Sequence, residues 1–123
     1  MDFPIYLLQE PLPKNVNKHG VFVSGGIVSL SLAGKKYFIK ITTYLHNSRY
    51  YYGVSVNVNT SGLGLPARYY GTCYATENAA VLSGIEDVLD WSGISMPFSI
   101  NDTEKKERKA FITALLNKKQ QYA

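Results

Sequence analysis

The stretch KYFIKITTYLHNSRYYYGVSVNV, residues 36–58, decides the fold. Over 36–45 it alternates: Tyr37, Ile39, Ile41, Thr43 and Leu45 share one side of an extended chain, and Lys36, Phe38, Lys40, Thr42 and Tyr44 the other. Residues 49–58 repeat the period, with Tyr50, Tyr52, Val54, Val56 and Val58 against Arg49, Tyr51, Gly53, Ser55 and Asn57. A period of two in β-branched and aromatic residues marks a half-buried strand, and the short His46-Asn47-Ser48 link between the two runs makes them a hairpin. One face is aliphatic enough to form a core. The other mixes cations, rings and small polar residues.

Working outward, residues 21–32 are rich in aliphatic and β-branched side chains, with Gly25-Gly26 marking a bulge or turn and 33–35 a turn. Downstream, 59–66 reads as a loop leading to a fourth strand at about 68–74, and three short connections predict an antiparallel meander. Thr76 is placed to cap a helix over 79–91, with Val81, Leu82, Ile85, Val88 and Leu89 at helical spacing and Gly93 as its stop. A linker at 96–98 precedes a last helix from Asn101 or Asp102 to about Gln121, striped by Phe111, Ile112, Leu115 and Leu116. The order β-β-β-β-α-α predicts an α+β fold in two layers, one domain over 1–123. Its parts are a basic sheet region at 11–76, an acidic helix at 77–92 and a basic C-terminal helix at 102–121.

With 123 residues, 46% hydrophobic and 18% charged, the chain has material for one core and is not intrinsically disordered. One cysteine excludes a disulfide scaffold and a multi-cysteine zinc site, and two histidines leave little for any other metal site, so neither metal nor cofactor is expected. No apolar run approaches the ~20 residues that span a bilayer. Met1-Asp2 and the short apolar run 3–8, closed by Pro11 and Pro13, do not read as a signal peptide, so none is expected. With a free thiol, a cytoplasmic location is expected.

Charge is unevenly placed. From Pro11 to Thr76, 66 residues contain no Asp or Glu but hold Lys14, Lys18, Lys35, Lys36, Lys40, Arg49 and Arg68. The acids Glu77, Glu86, Asp87 and Asp90 follow, and beyond Asp102 come Lys105, Lys106, Arg108, Lys109, Lys118 and Lys119. The net charge of +4 therefore conceals a strongly positive block, which points to an anionic partner. Eight of the ten tyrosines, Tyr37 to Tyr74, fall within that block.

Catalytic equipment is sparse. The sheet region lacks the paired carboxylates that general acid–base chemistry needs. Cys73, within an expected strand, reads as a structural thiol, and Ser61-Gly62-Leu63-Gly64-Leu65-Pro66 leads to a strand rather than to the helix a dinucleotide fingerprint requires. A non-enzyme is expected. Lys36, Phe38, Lys40, Tyr44, Arg49, Tyr51 and Arg68 form the candidate binding set: cations track phosphates while rings stack on bases. Asp87 and Asp90 sit near a helix C-terminus, where the macrodipole disfavours negative charge, so a basic element such as Lys105, Lys106 and Lys109, or a partner protein, is expected against them and Glu86.

The element order is similar to that of single-stranded-DNA-binding modules of the Whirly type, a likeness of order without shared motifs that implies a single-stranded ligand. The stretch 64–91, a strand and then an acidic helix, also resembles HicB-type antitoxins, but the C-terminal DNA-binding strand of that family is not evident. Three functions compete: a nucleic-acid-binding module, an inhibitor or adaptor that docks on a partner protein, through an acidic surface or by blocking a protein that handles nucleic acid, and a binder of nucleotide-like ligands. A homo-oligomer through sheet edges is compatible with each.

Overall fold

The computed structural model describes residues 12–34, 37–58, 61–94 and 102–122. Four strands, β1 (Ile27–Ala33), β2 (Tyr37–His46), β3 (Arg49–Val58) and β4 (Ser61–Leu65), precede two helices, α1 (Glu77–Ile94) and α2 (Asp102–Tyr122). The sheet runs β1-β2-β3-β4, antiparallel throughout, so the expected α+β meander is the fold adopted. In the central hairpin His46 faces Arg49, and the two turn residues Asn47 and Ser48 have φ of 51° and 64°. Positive φ at both positions is the type I′ geometry whose twist matches that of paired strands.

The fourth strand lies earlier than the sequence reading placed it. Leu63 pairs with Val56 and Leu65 with Val54, so the glycine-rich 61–65 is strand, whereas 68–74 contributes only isolated bridges, Val21 to Arg68 and Tyr50 to Tyr74. The reason is local: Gly62-Leu63-Gly64-Leu65 has a period of two, and both leucines pack against the core. Pro66, which has no N–H to donate, follows directly. The first strand likewise begins only at Ile27, after a turn in which Gly25 adopts a φ of 83°.

The aliphatic faces pack as the alternation dictates, except that Leu45, on the same face of β2 beside the hairpin turn, is 58% exposed. Leu30, Ile39, Ile41, Val54, Val56 and Val58 meet Val81, Ile85 and Val88 of α1 and Phe111 and Leu115 of α2 in one buried cluster. Gly84 lets α1 lie close, since a Cβ there would stand 3.1 Å from Ile41 Cδ1 and 3.2 Å from Tyr52 Cδ2. Thr76 caps α1 as expected, its Oγ1 accepting from the Ala79 N–H at 3.1 Å, while the helix continues through Gly93 to Ile94. A bulge at Ser29 joins the layers. Its hydroxyl bonds Glu77 Oε2 at 2.7 Å and the buried Thr43 hydroxyl at 2.6 Å, and its carbonyl accepts from the Tyr122 hydroxyl at 2.9 Å.

The opposite face of the sheet, called the outer face below, is half covered. Residues 12–24 and 66–74 fold over its β2–β3 hairpin end, where Val16, Phe22, Tyr51 and Ala67 form a second buried cluster with Tyr44, Tyr69 and Cys73 against it. The Phe22 N–H donates to the Ala67 carbonyl at 3.0 Å and the Tyr69 N–H to Gly20 at 2.8 Å, tying the two coverings together.

Candidate functional site

The uncovered half of the outer face is a shallow floor, mostly of small residues, around Lys40. Register sets its rows: Ala33, Phe38, Asn57 and Gly62 lie across the sheet in one, Ser31, Lys40, Ser55 and Gly64 in the next, Val28, Thr42 and Gly53 in the third. Lys40, Ser31, Ser55, Asn57 and Gly64 are exposed, and Phe38 is half-buried. Where the covering segments begin, a depression of about 240 Å³ opens between Lys40, Thr42, Tyr44 and Ser55 on the floor and Phe22 and Pro66 on the wall. Gly53 is needed for that wall: a Cβ would stand 3.1 Å from the Leu65 carbonyl oxygen and 3.2 Å from the Ala67 nitrogen. Gly64 faces open space, with no heavy atom within 4 Å of its would-be Cβ.

The candidate residues separate into three groups. Lys40, Phe38 and Tyr44 line one strip of β2, although Tyr44 already stacks on Phe22 with centroids 4.9 Å apart and planes at 25°. Arg49 is exposed at the far hairpin end, its Nη1 3.9 Å from Cys73 Sγ. Arg68, also exposed, lines a separate cleft of about 170 Å³ with Tyr52, Thr72, Tyr74 and Asp87. Lys36 lies outside the described residues.

Tyr51 is a correction. Its position in the alternation does place it on the outer face, but Phe22 (5.0 Å) and Tyr69 (6.1 Å) cover it and leave it 7% exposed. Burial, and secondarily Cys73, pushes its hydroxyl pKa up. Tyr51 is therefore core, and Tyr51→Ala is expected to cost about 3 kcal/mol of stability, as large-to-small core changes do. Thermal melts would check it; an unchanged midpoint would return Tyr51 to the surface. Most of the tyrosine excess has the same explanation. Tyr44, Tyr51 and Tyr69 build the outer cluster, Tyr37 and Tyr52 pack against the helix-side core, and Tyr70 stays 65% exposed.

On the helix side, Glu86 and Asp90 are exposed along α1, and Lys105, Lys106 and Lys109 are exposed along α2. The expected basic partner for Asp87 is instead a phenol: the Tyr52 hydroxyl donates to Asp87 Oδ2. Ser83 Oγ stands 2.7 Å from the Tyr74 hydroxyl and 3.4 Å from that of Tyr52. Lys119, not Lys105 or Lys109, pairs with Glu86, at 3.8 Å. Burial first, and then the bond to Asp87, raises the Tyr52 pKa above the ordinary tyrosine value of 10.0. The folded state thus holds this proton where the unfolded chain releases it, so stability is full below pH ~10 and falls as pH rises beyond it. Melting midpoints taken above pH 10 should fall less steeply in Tyr52→Phe than in the parent; equal slopes would refute the assignment.

The exposed Lys14, Lys18, Lys40, Arg49 and Arg68 all belong to the acid-free block that forms the sheet and its outer covering, while the described carboxylates all lie on the two helices. Among the described residues no cluster of three His, Cys, Asp or Glu side chains could hold a metal, and no helix is long and apolar enough to cross a membrane. Sequence reasoning missed the glycine floor at Gly62 and Gly64 and the Phe22–Tyr69 cover. The leucine alternation in 61–65 signals the first, and the aromatic pair Tyr69-Tyr70, soon after Pro66, hints at the second. Comparison of the chain with protein-family models, curated proteins and solved structures finds no match.

Proposed function

We propose that this chain is a non-enzymatic cytoplasmic protein that binds single-stranded nucleic acid across the outer face of its sheet. One observation carries the reading: among the described residues, the strands and covering segments of the outer side hold exposed cations and no carboxylate, around a floor on which Lys40 stands among serine and glycine. Lys40 on the floor, Lys14 and Lys18 in the covering segment, Arg49 at the hairpin end and Arg68 at its cleft would neutralise phosphates along the outer side. Phe38 offers a stacking ring, and Ser55 and Asn57 supply hydrogen-bonding groups to bases or sugars. The small residues let a strand lie close to the sheet. A single strand suits this shape better than a duplex, because among the described residues no helix or ribbon rises from the outer face to enter a major groove.

The test is a titration against single-stranded DNA, single-stranded RNA and duplex of one sequence at two salt concentrations. Affinity should fall with salt, by roughly 0.7 in log K per log unit of salt for each phosphate contacted. Salt-independent affinity, or preference for the duplex, would overturn the reading. A protein partner is the second reading, favoured by Tyr70, 65% exposed beside the exposed Arg68, since tyrosine and arginine are common interface anchors. A stoichiometric partner that survives nuclease treatment would select it.

A further inference from the structure

The sheet has two free edges among the described residues, and they differ. β4 is five residues long, contains two glycines and is followed by Pro66, features that blunt an edge against pairing. β1 has seven residues and no proline, and residues 20–34 contain no charged side chain at all. Around its start Val23, Ile27 and Val28 are 62%, 66% and 52% exposed. The bulge at Ser29 is an edge device too, but here Ser29 turns inward to Glu77 and Thr43 and gives its carbonyl to Tyr122, which leaves residues 30–33 as a straight, uncharged edge. Natural sheets seldom leave such an edge uncovered.

We propose that a second copy of this chain covers it, the two β1 strands pairing antiparallel about a two-fold axis at Ser31 to form one eight-stranded sheet. Nucleic acid is a poor occupant for an edge with no cation on it. A second copy is compatible by construction, because a two-fold axis perpendicular to the sheet keeps both sets of helices on one side and both outer faces on the other. Directly opposed residues in an antiparallel pair share a face, which restricts the register. With Ser31 opposite its own copy, Leu30 faces the partner's Leu32 on the helix side, and only the two serines meet on the outer side. No like charges oppose each other within the straight segment. Since Ser31 is also in register with Lys40, the row Gly64, Ser55, Lys40, Ser31 continues into the partner's row. The two copies of Lys40 then stand three strand spacings apart across the sheet, roughly 14 Å. The pairing rests on the edge alone and holds whether or not the outer face binds nucleic acid.

Light scattering on a sizing column, from micromolar to near-millimolar protein, tests this with two variants. The parent should rise from the mass of one chain to that of two. Ser31→Lys, which sets two ammonium groups against each other on the axis, should stay at one chain with an unchanged melting midpoint and circular dichroism. Ser31→Cys, made with Cys73→Ser, should crosslink to a two-chain product on mild oxidation. Three outcomes would overturn the proposal. One is a single-chain parent at every concentration, whether or not Ser31→Lys is less stable, since a destabilised single chain would mean that a segment of the same chain lies on β1. The second is a two-chain mass that survives in Ser31→Lys. The third is growth beyond two chains.

Discussion

Phe111→Ala is expected to lower stability by about 3–5 kcal/mol, the usual cost of emptying a fully buried aromatic site. Phe111 is 0% exposed and lies 5.2 Å from the Tyr37 ring at 59°, a tilted contact between the middle of α2 and the start of β2. Among the described residues of α2, Phe111 and Leu115 are the fully buried hydrophobics, with Ile112 and Tyr122 partly so. A domain of this size has on the order of 5–15 kcal/mol in all, so the change removes a large share of it. At roughly 3–6 °C per kcal/mol for this length, the melting midpoint should drop by roughly 10–25 °C. Losing Phe111 should also release the far end of α2, whose Tyr122 hydroxyl bonds the Ser29 carbonyl in the β1 bulge. Hydrogen exchange should therefore quicken in α2 before it does in β2 and β3. A midpoint within 3 °C of the parent would show that Phe111 does not anchor the helix.

Which parts of this molecule the sequence reveals follows from how local each signal is. The β2–β3 hairpin is legible because its alternation is self-contained: Ile39, Ile41, Val54 and Val56 need only their own neighbours to identify their face. The N-cap at Thr76 is local in the same way, and so are Phe111 and Leu115 on α2, whereas Leu116, read into the same stripe, is 45% exposed. The fourth strand is less so, since glycine promises a turn by composition, and only the spacing of Leu63 and Leu65 shows that those glycines occupy the outward positions of a strand. The outer cover is not local at all. Phe22 reaches Tyr51 across 29 positions, and the contact exists because 66–74 turns back over the hairpin end. Tyr51 and Phe38 look alike in the sequence, each an aromatic residue on the mixed face of its strand. One is sealed and the other half open because the cover stops partway across the sheet. Charge was the more faithful guide, since an exposed lysine or arginine needs no knowledge of what folds over it.

That distinction leads to the charge reversal expected to have the largest effect on binding. Lys40→Glu should weaken binding of a single-stranded oligonucleotide by at least tenfold, and Lys40→Glu with Gly64→Glu by a hundredfold or more, at near-physiological salt. The first replaces Lys40, the one cation on the open floor among the described residues, with a carboxylate facing the same phosphates. The second places another carboxylate in the same row, next to Ser55, at a position where an added side chain meets no neighbour. Both positions are exposed, so melting midpoints should stay within a few degrees of the parent. Loss of one phosphate contact should also flatten the salt dependence, by roughly 0.7 in slope per contact. The control lies on the other side of the molecule: Lys105→Glu with Lys109→Glu shifts net charge by the same amount as two outer-face reversals, but on α2. If long-range attraction to a positive chain were all that mattered, this pair would weaken binding as much as Lys40→Glu with Arg49→Glu. If the outer face is the interface, the helix pair should leave affinity within about twofold. Parent-like affinity in Lys40→Glu together with a large loss in the helix pair would move the interface to the helices and overturn the proposed function.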